Sequence, residues 1–187
     1  MRRWVRPRKI TTAALTKAHA VGAPVAAHGG FASGVVPSAV VNGSTGSVLK
    51  IFGDINGDNT MVYVEYLCDT NLGRLYRNSM PFTAAVKLAP TVEQILIDNI
   101  LPNPDGTQCF TYQTKIVNGT TYVVNVAITL TVRSNTRDRN TGDFERETKA
   151  LLNVAPRNVF NVWQMAGLGI TNRVQPLPQS VQLLLPN

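Results

Sequence analysis

Residues 121–133, reading TYVVNVAITLTVR, set the strongest limit on how this chain can fold. Tyr122, Val124, Val126, Ile128, Leu130 and Val132 alternate with Thr121, Val123, Asn125, Ala127, Thr129, Thr131 and Arg133. An apolar row at a period of two, set against a mostly polar one, describes an extended strand with one face in a core and the other in water. No other stretch keeps so clean a period. A long antiparallel strand is expected here, as the spine of a sheet.

The turn before it points to the partner. Asn118-Gly119 tolerates positive φ at both positions, which a tight hairpin requires. A two-residue loop would set Lys115 opposite Tyr122 and Gln113 opposite Val124, polar residues against the apolar row. A three-residue loop of Val117, Asn118 and Gly119 instead pairs Phe110 with Val126 and Tyr112 with Val124. Register follows the hydrophobic pattern, so the three-residue loop is predicted, with a partner strand over residues 110–116.

A chain of 187 residues, 44% hydrophobic and 16% charged, suits one domain with a buried core. The net charge of +7 belongs to one end of it. Residues 1–53 carry seven basic residues and no acid, whereas residues 54–187 carry eleven of each sign. The pI near 9.8 therefore describes the N-terminal region and not the rest. Arg2, Arg3, Arg6, Arg8 and Lys9 would suit an arm on nucleic acid or a segment beside anionic lipid, although short basic runs are commonly just solvated. Residues 10–30 are interrupted by Lys17, His19 and Pro24, so neither a secretory apolar core nor a membrane span is expected in them. The expected division is a loose, basic, Ala/Gly-rich segment over 1–46 and a folded head over 47–187.

Within the head, short strands are expected over residues 47–53, 61–67, 74–77 and 148–154. Thr91, with Gln94 three residues on, reads as a capping box and predicts a short helix through 91–100, ended by Pro102 and Pro104. NTRDRNTGD, residues 135–143, reads as an exposed charged loop. Pro156 opens a second helix, in which Val159, Phe160, Val162, Trp163 and Ala166 form an apolar stripe closed by Gly167 and Gly169. Residues 178–185 add a last helical turn. Strands and helices in this order predict an α+β fold.

No phosphate-cradling loop, nucleophile elbow or zinc-protease motif is present, so structural or binding work is expected and not catalysis. One stretch, DINGDNTMVYVE, has partial calcium-loop spacing: Asp54, Asn56, Asp58, Thr60 and Glu65 would supply oxygens to a weak calcium site. Asn59 stands where such loops carry glycine, and Glu65 falls inside the next strand. The same residues make a hairpin turn, because Asn and Asp bond their own backbone. Cys68 and Cys109 lie 41 apart with no CxxC spacing, which does not suit zinc. In an oxidising compartment they would pair as a disulfide; in a reducing one they would be ordinary half-buried thiols.

Several stretches also carry a resemblance. LYRNS, ILIDNI followed by CFTY, VAITLTV and ETKALLNVAPRNVFNVW resemble the C-terminal heads of minor pilins and pseudopilins of the PilW/PulJ type, over about residues 50–182. The resemblance implies a pilin-like head, an antiparallel sheet with short helices. It further implies a non-enzymatic subunit of a type IV pilus or type II secretion filament, acting in filament assembly or surface interaction. Such a subunit works at the periplasmic or extracellular face of a bacterial envelope, with other pilin or pseudopilin subunits as partners and no small-molecule substrate. The family's apolar N-terminal helix and its cleavage signature are not matched: Gly30-Phe31 imitates the cut site, but Val35 holds the fifth position and no long apolar run follows. The chain reads as a head without its stalk, with membrane anchoring expected only where such a helix exists. The alternative is a coat-like protein that binds nucleic acid through Arg2, Arg3, Arg6, Arg8 and Lys9.

Overall fold

The computed structural model describes residues 30–156 and 159–186. In chain order these form β1 (Gly30–Phe31), β2 (Val48–Gly53), β3 (Val62–Asp69), β4 (Arg74–Pro81), β5 (Ile95–Asp98), β6 (Ile100–Leu101), β7 (Phe110–Val117), β8 (Thr120–Arg137), β9 (Phe144–Val154), α1 (Val159–Gly167), β10 (Val174–Gln175) and α2 (Gln179–Leu184).

β2, β3, β4 and β5 make one antiparallel sheet in that order. β8 centres the other. β7 and β9 both pair with Val126 and Ile128, and β6 and β9 both pair with Val132. β9 therefore holds one edge of β8, while β6 and β7 share the other. The sheets face each other across a common core of Leu49, Cys68 and Leu75 from the first and Ile100, Phe110, Val123 and Val126 from the second. α2 covers the outer face of the first sheet, through Val181, Leu184 and Leu185 on Phe52 and Tyr63. α1 covers the outer face of the second, through Val159, Val162 and Ala166 on Tyr122. The arrangement is a β-sandwich with a short helix on each side.

Strand makes up 44% of the described residues and helix 14%, which overturns the expected α+β, pilin-like fold. Residues 91–100 account for much of the difference. The capping contact does form, Thr91 N donating to Gln94 Oε1 at 2.9 Å, but it closes a single 3-10 turn over Val92–Gln94. The chain then extends, with Leu75 opposite Ile97 and Arg74 opposite Asp98. Ile95 and Ile97 are partly buried while Leu96 and Asp98 are exposed, a period of two and not of 3.6. Pairing against β4 overrides a local helix signal carried by two β-branched isoleucines. Asn99, at φ 60, then passes the chain from the first sheet to the second within one residue.

The central hairpin corrects a second expectation. Val117 lies opposite Thr120 and Lys115 opposite Tyr122, so the loop is the two-residue one, with Asn118 at φ 50 and Gly119 at φ 76. Both φ values suit the turn type whose twist matches the flanking strands. The polar mismatch that argued against this loop is resolved by a bulge. Gln113 pairs with Asn125 and Thr114 with Val123, leaving Val124 extra. Beyond the bulge Tyr112 meets Val126 and Phe110 meets Ile128. The phase of β8 is inverted at that point, so Val123 enters the inter-sheet core while Tyr122 and Val124 turn outward to α1.

The charged loop is shorter than expected. β8 runs on to Arg137 and β9 starts at Phe144, whose ring lies under the guanidinium carbons of Arg133 and Arg137 at 4.7 and 4.9 Å. Only residues 138–143 form the turn, with Asp138 Oδ1 accepting from Asn140 N and Thr141 N. Residues 30–46 pack on the first sheet: Val35 bridges Ile51, Val36 is fully buried, and Ser44 Oγ accepts from Lys50 N at 3.0 Å.

Candidate functional site

An apolar concavity lies between the sheets. A cleft of about 810 Å³ opens among Leu49, Ile51 and Ile97 of the first sheet and Val126, Ile128 and Leu130 of the second. Its volume falls in the range of ligand sites, roughly 300–1,000 Å³. The sheets are clamped together by a covalent link. The clamp is the Cys68–Cys109 disulfide, which joins the last turn of β3 to the residue before β7, with Cα atoms 6.5 Å apart. The pairing thus crosses from one sheet to the other. Tyr112 reinforces it, its hydroxyl donating to Thr45 O at 2.8 Å with Val48 O at 3.1 Å.

The cleft wall offers little chemistry. Asp54 and Tyr66 are the titratable residues that line it. Tyr66 Oη accepts from Arg77 Nε at 3.2 Å, and the two Asp54 oxygens accept from Asp58 N and Asn59 N at 3.0 and 3.1 Å. The remaining lining is aliphatic, aromatic or glycine. Such a surface can bind apolar groups but presents no nucleophile with an attendant base.

A cluster of buried charged groups lies elsewhere, on the outer face of the first sheet. Lys50 of β2 stands opposite Glu65 of β3, and Tyr63 shares that face two residues away. Glu65 Oε1 accepts from Tyr63 Oη at 2.5 Å and Lys87 Nζ at 3.1 Å, with Lys50 Nζ at 3.3 Å. Lys50 Nζ also donates to Asn42 O and Leu185 O, each at 2.9 Å. The carbonyl of Leu185 belongs to the end of α2, so this lysine ties the C-terminal helix to the sheet. Burial pulls the Lys50 ammonium below its ordinary pKa, against the opposing pull of Glu65. Burial first, then the hydrogen bond to Glu65, pushes the Tyr63 phenol far above its ordinary value. The polar contacts of the cluster hold strand to strand, the C-terminal helix to the sheet, and the loops at Asn42 and Lys87 to the sheet.

The expected calcium ligands part company. Asp54, Asn56, Asp58 and Thr60 share one exposed turn, in which Asp58 Oδ1 accepts from Thr60 N at 2.8 Å and Asn59 takes φ 64. Glu65 is carried into the lysine cluster on the outer sheet face, because its strand does not curl back. Among the described residues no group of three or more His, Cys, Asp or Glu side chains is placed to hold a metal. Arg2, Arg3, Arg6, Arg8 and Lys9 lie outside the described residues. Among the described residues no helix is long and apolar enough to cross a membrane.

Lys50 and Tyr63 were not singled out by sequence reasoning, yet a signal existed. VLKIFG and VYVEYL each carry one charge in the middle of an apolar strand. In a hairpin those two charges are candidates to meet. No family model matches this chain, and no curated protein or solved structure shows significant similarity to it.

Proposed function

We propose that this chain is a non-enzymatic subunit of an extracytoplasmic filament, of the minor pilin or pseudopilin class, that works by docking to other protein subunits. The observation that carries the reading is the chemistry of the cleft: an apolar concavity with no catalytic pair, while the buried charges are spent on holding the fold. The Cys68–Cys109 bridge favours an oxidising compartment, such as the periplasm or the cell surface. The sequence echoes LYRNS, CFTY and ETKALLNVAPRNVFNVW supply the choice of class. The sandwich architecture itself supplies no function, since one fold hosts many.

Deleting the gene in the host bacterium, and scoring surface piliation and type II secretion, tests this reading. Loss of either, restored by the intact chain, is the expected outcome. Wild-type piliation and secretion in the deletion strain would sink it. A coat-like reading is favoured by one feature, the seven basic residues and no acid in residues 1–53. It requires tight DNA or RNA binding that falls steeply with salt and disappears on removing residues 1–9.

A further inference from the structure

β9 hydrogen-bonds to β8 along one of its edges, and among the described residues no strand pairs with the other. Its residues 145–151 are exposed on both faces, with Leu151 at 61%. A bare strand edge offers a row of unpaired N–H and C=O groups to any second strand. Proteins commonly guard such edges with charges that repel a copy of themselves. The charges of β9, Glu145, Arg146, Glu147 and Lys149, attract a copy in one alignment.

We propose that β9 pairs with β9 of a second copy of this chain, antiparallel and centred on Thr148, to give a two-fold dimer with one continuous sheet. The two-fold axis of such a pairing stands perpendicular to the sheet, so odd-numbered residues of both copies share one face. Centred on Thr148, Glu147 of each copy faces Lys149 of the other, giving two cross-strand ion pairs. Arg146 then faces Ala150, and Glu145 covers the exposed Leu151. Sliding one step either way spoils the match. Centring on Glu147 gains two Glu145–Lys149 pairs but sets two Glu147 carboxylates face to face, which offsets one of them. Centring on Lys149 sets two ammonium groups face to face. Charge favours the Thr148-centred register over both neighbours.

The side chains are ready for it. Within one chain Lys149 Nζ already lies 3.2 Å from Glu147 Oε1, both side chains largely exposed, so the pair exchanges partners on association. Neither group must leave a buried site. The inference rests on β9 alone and is independent of the filament reading.

Sedimentation of the full chain, at micromolar to millimolar concentration and low salt, provides the test, with charge swaps as the probe. The parent chain is expected to dimerise. E147K and K149E each place like charges opposite in both pairs, and each should weaken the dimer by at least about tenfold. An equimolar mixture of the two single variants restores both attractions and should recover the dimer, as should the double variant E147K/K149E. Thermal melts at a concentration where every chain is monomeric should match the parent, since both positions are solvent-exposed. A parent chain monomeric at every concentration overturns the proposal. So do single variants that dimerise as well as the parent, or a mixture of them that stays monomeric.

Discussion

Lys50 and Glu65 stand directly opposite each other on β2 and β3, and their charges meet at 3.3 Å under the C-terminal helix. The pair is buried, with side-chain exposures of 4% and 12%. Burying two charges costs several kcal/mol of hydration each, and mutual attraction repays it only when the remaining hydrogen-bonding groups are satisfied. Here Asn42 O, Leu185 O, Tyr63 Oη and Lys87 Nζ satisfy them.

Removing one partner should therefore cost more than removing both. Glu65→Ala leaves Lys50 buried without its counter-charge and is expected to lose about 3–5 kcal/mol of stability. Lys50→Met combined with Glu65→Leu should lose clearly less. Chemical denaturation of the three chains checks this, and equal losses for the single and double variants would refute it.

Alkaline pH should loosen the fold through its tyrosines. Burial raises the Tyr63 phenol and the Tyr112 phenol above their ordinary 10.0. Above pH 10 the unfolded chain releases those protons while the folded chain keeps them, so stability falls as pH rises. Lys50 acts the other way below its ordinary 10.5: its folded pKa is depressed, so the unfolded chain binds more protons and stability rises with pH there. Burial raises the Tyr122 phenol as well, so three phenols against one ammonium predict a net decline of the melting temperature above pH 10. Tyr112→Phe should flatten that decline, and an unchanged slope would remove Tyr112 from the account.

The inter-sheet disulfide should carry a large share of the stability. Cys68 and Cys109 close a loop of 41 residues, worth about 4 kcal/mol in the chain-entropy account. Replacing both with serine, or reducing the native protein, is expected to lower the unfolding midpoint by a corresponding amount. Melting curves identical with and without reductant would show that the bridge contributes nothing.

Two glycines should respond in opposite senses to alanine. A Cβ on Gly43 would lie 2.1 Å from Pro37 O and 2.8 Å from Val40 O, both backbone atoms that cannot step aside. Gly43→Ala is expected to cost about 1–3 kcal/mol. Gly167 ends α1 with open space around its Cβ position and no positive φ. Gly167→Ala should be neutral or gain up to about 1 kcal/mol. Thermal melts of both variants decide the matter.

Sequence alone determined what depends on neighbours a few residues apart. The existence of the long strand β8, the place of the hairpin turn at Asn118-Gly119 though not its length, the helix carrying Val159, Val162 and Ala166, and strands near residues 47–53 and 61–67 all follow from local pattern and turn chemistry. The two cysteines stood out as a pair only on the condition of an oxidising compartment, and Cys68 and Cys109 are joined. Tertiary structure decided what depends on partners far away in the chain. Ile95 and Ile97 become strand because β4 offers them an edge, not because their own propensity is decisive. Glu65 leaves the acidic turn because Lys50, fifteen positions earlier, arrives opposite it. The bulge at Val124 reconciles a turn that demands two residues with a core that demands Val126 and Ile128 inward. A single strand's pattern shows that it has two faces; only the packed neighbours select which face turns inward at each residue.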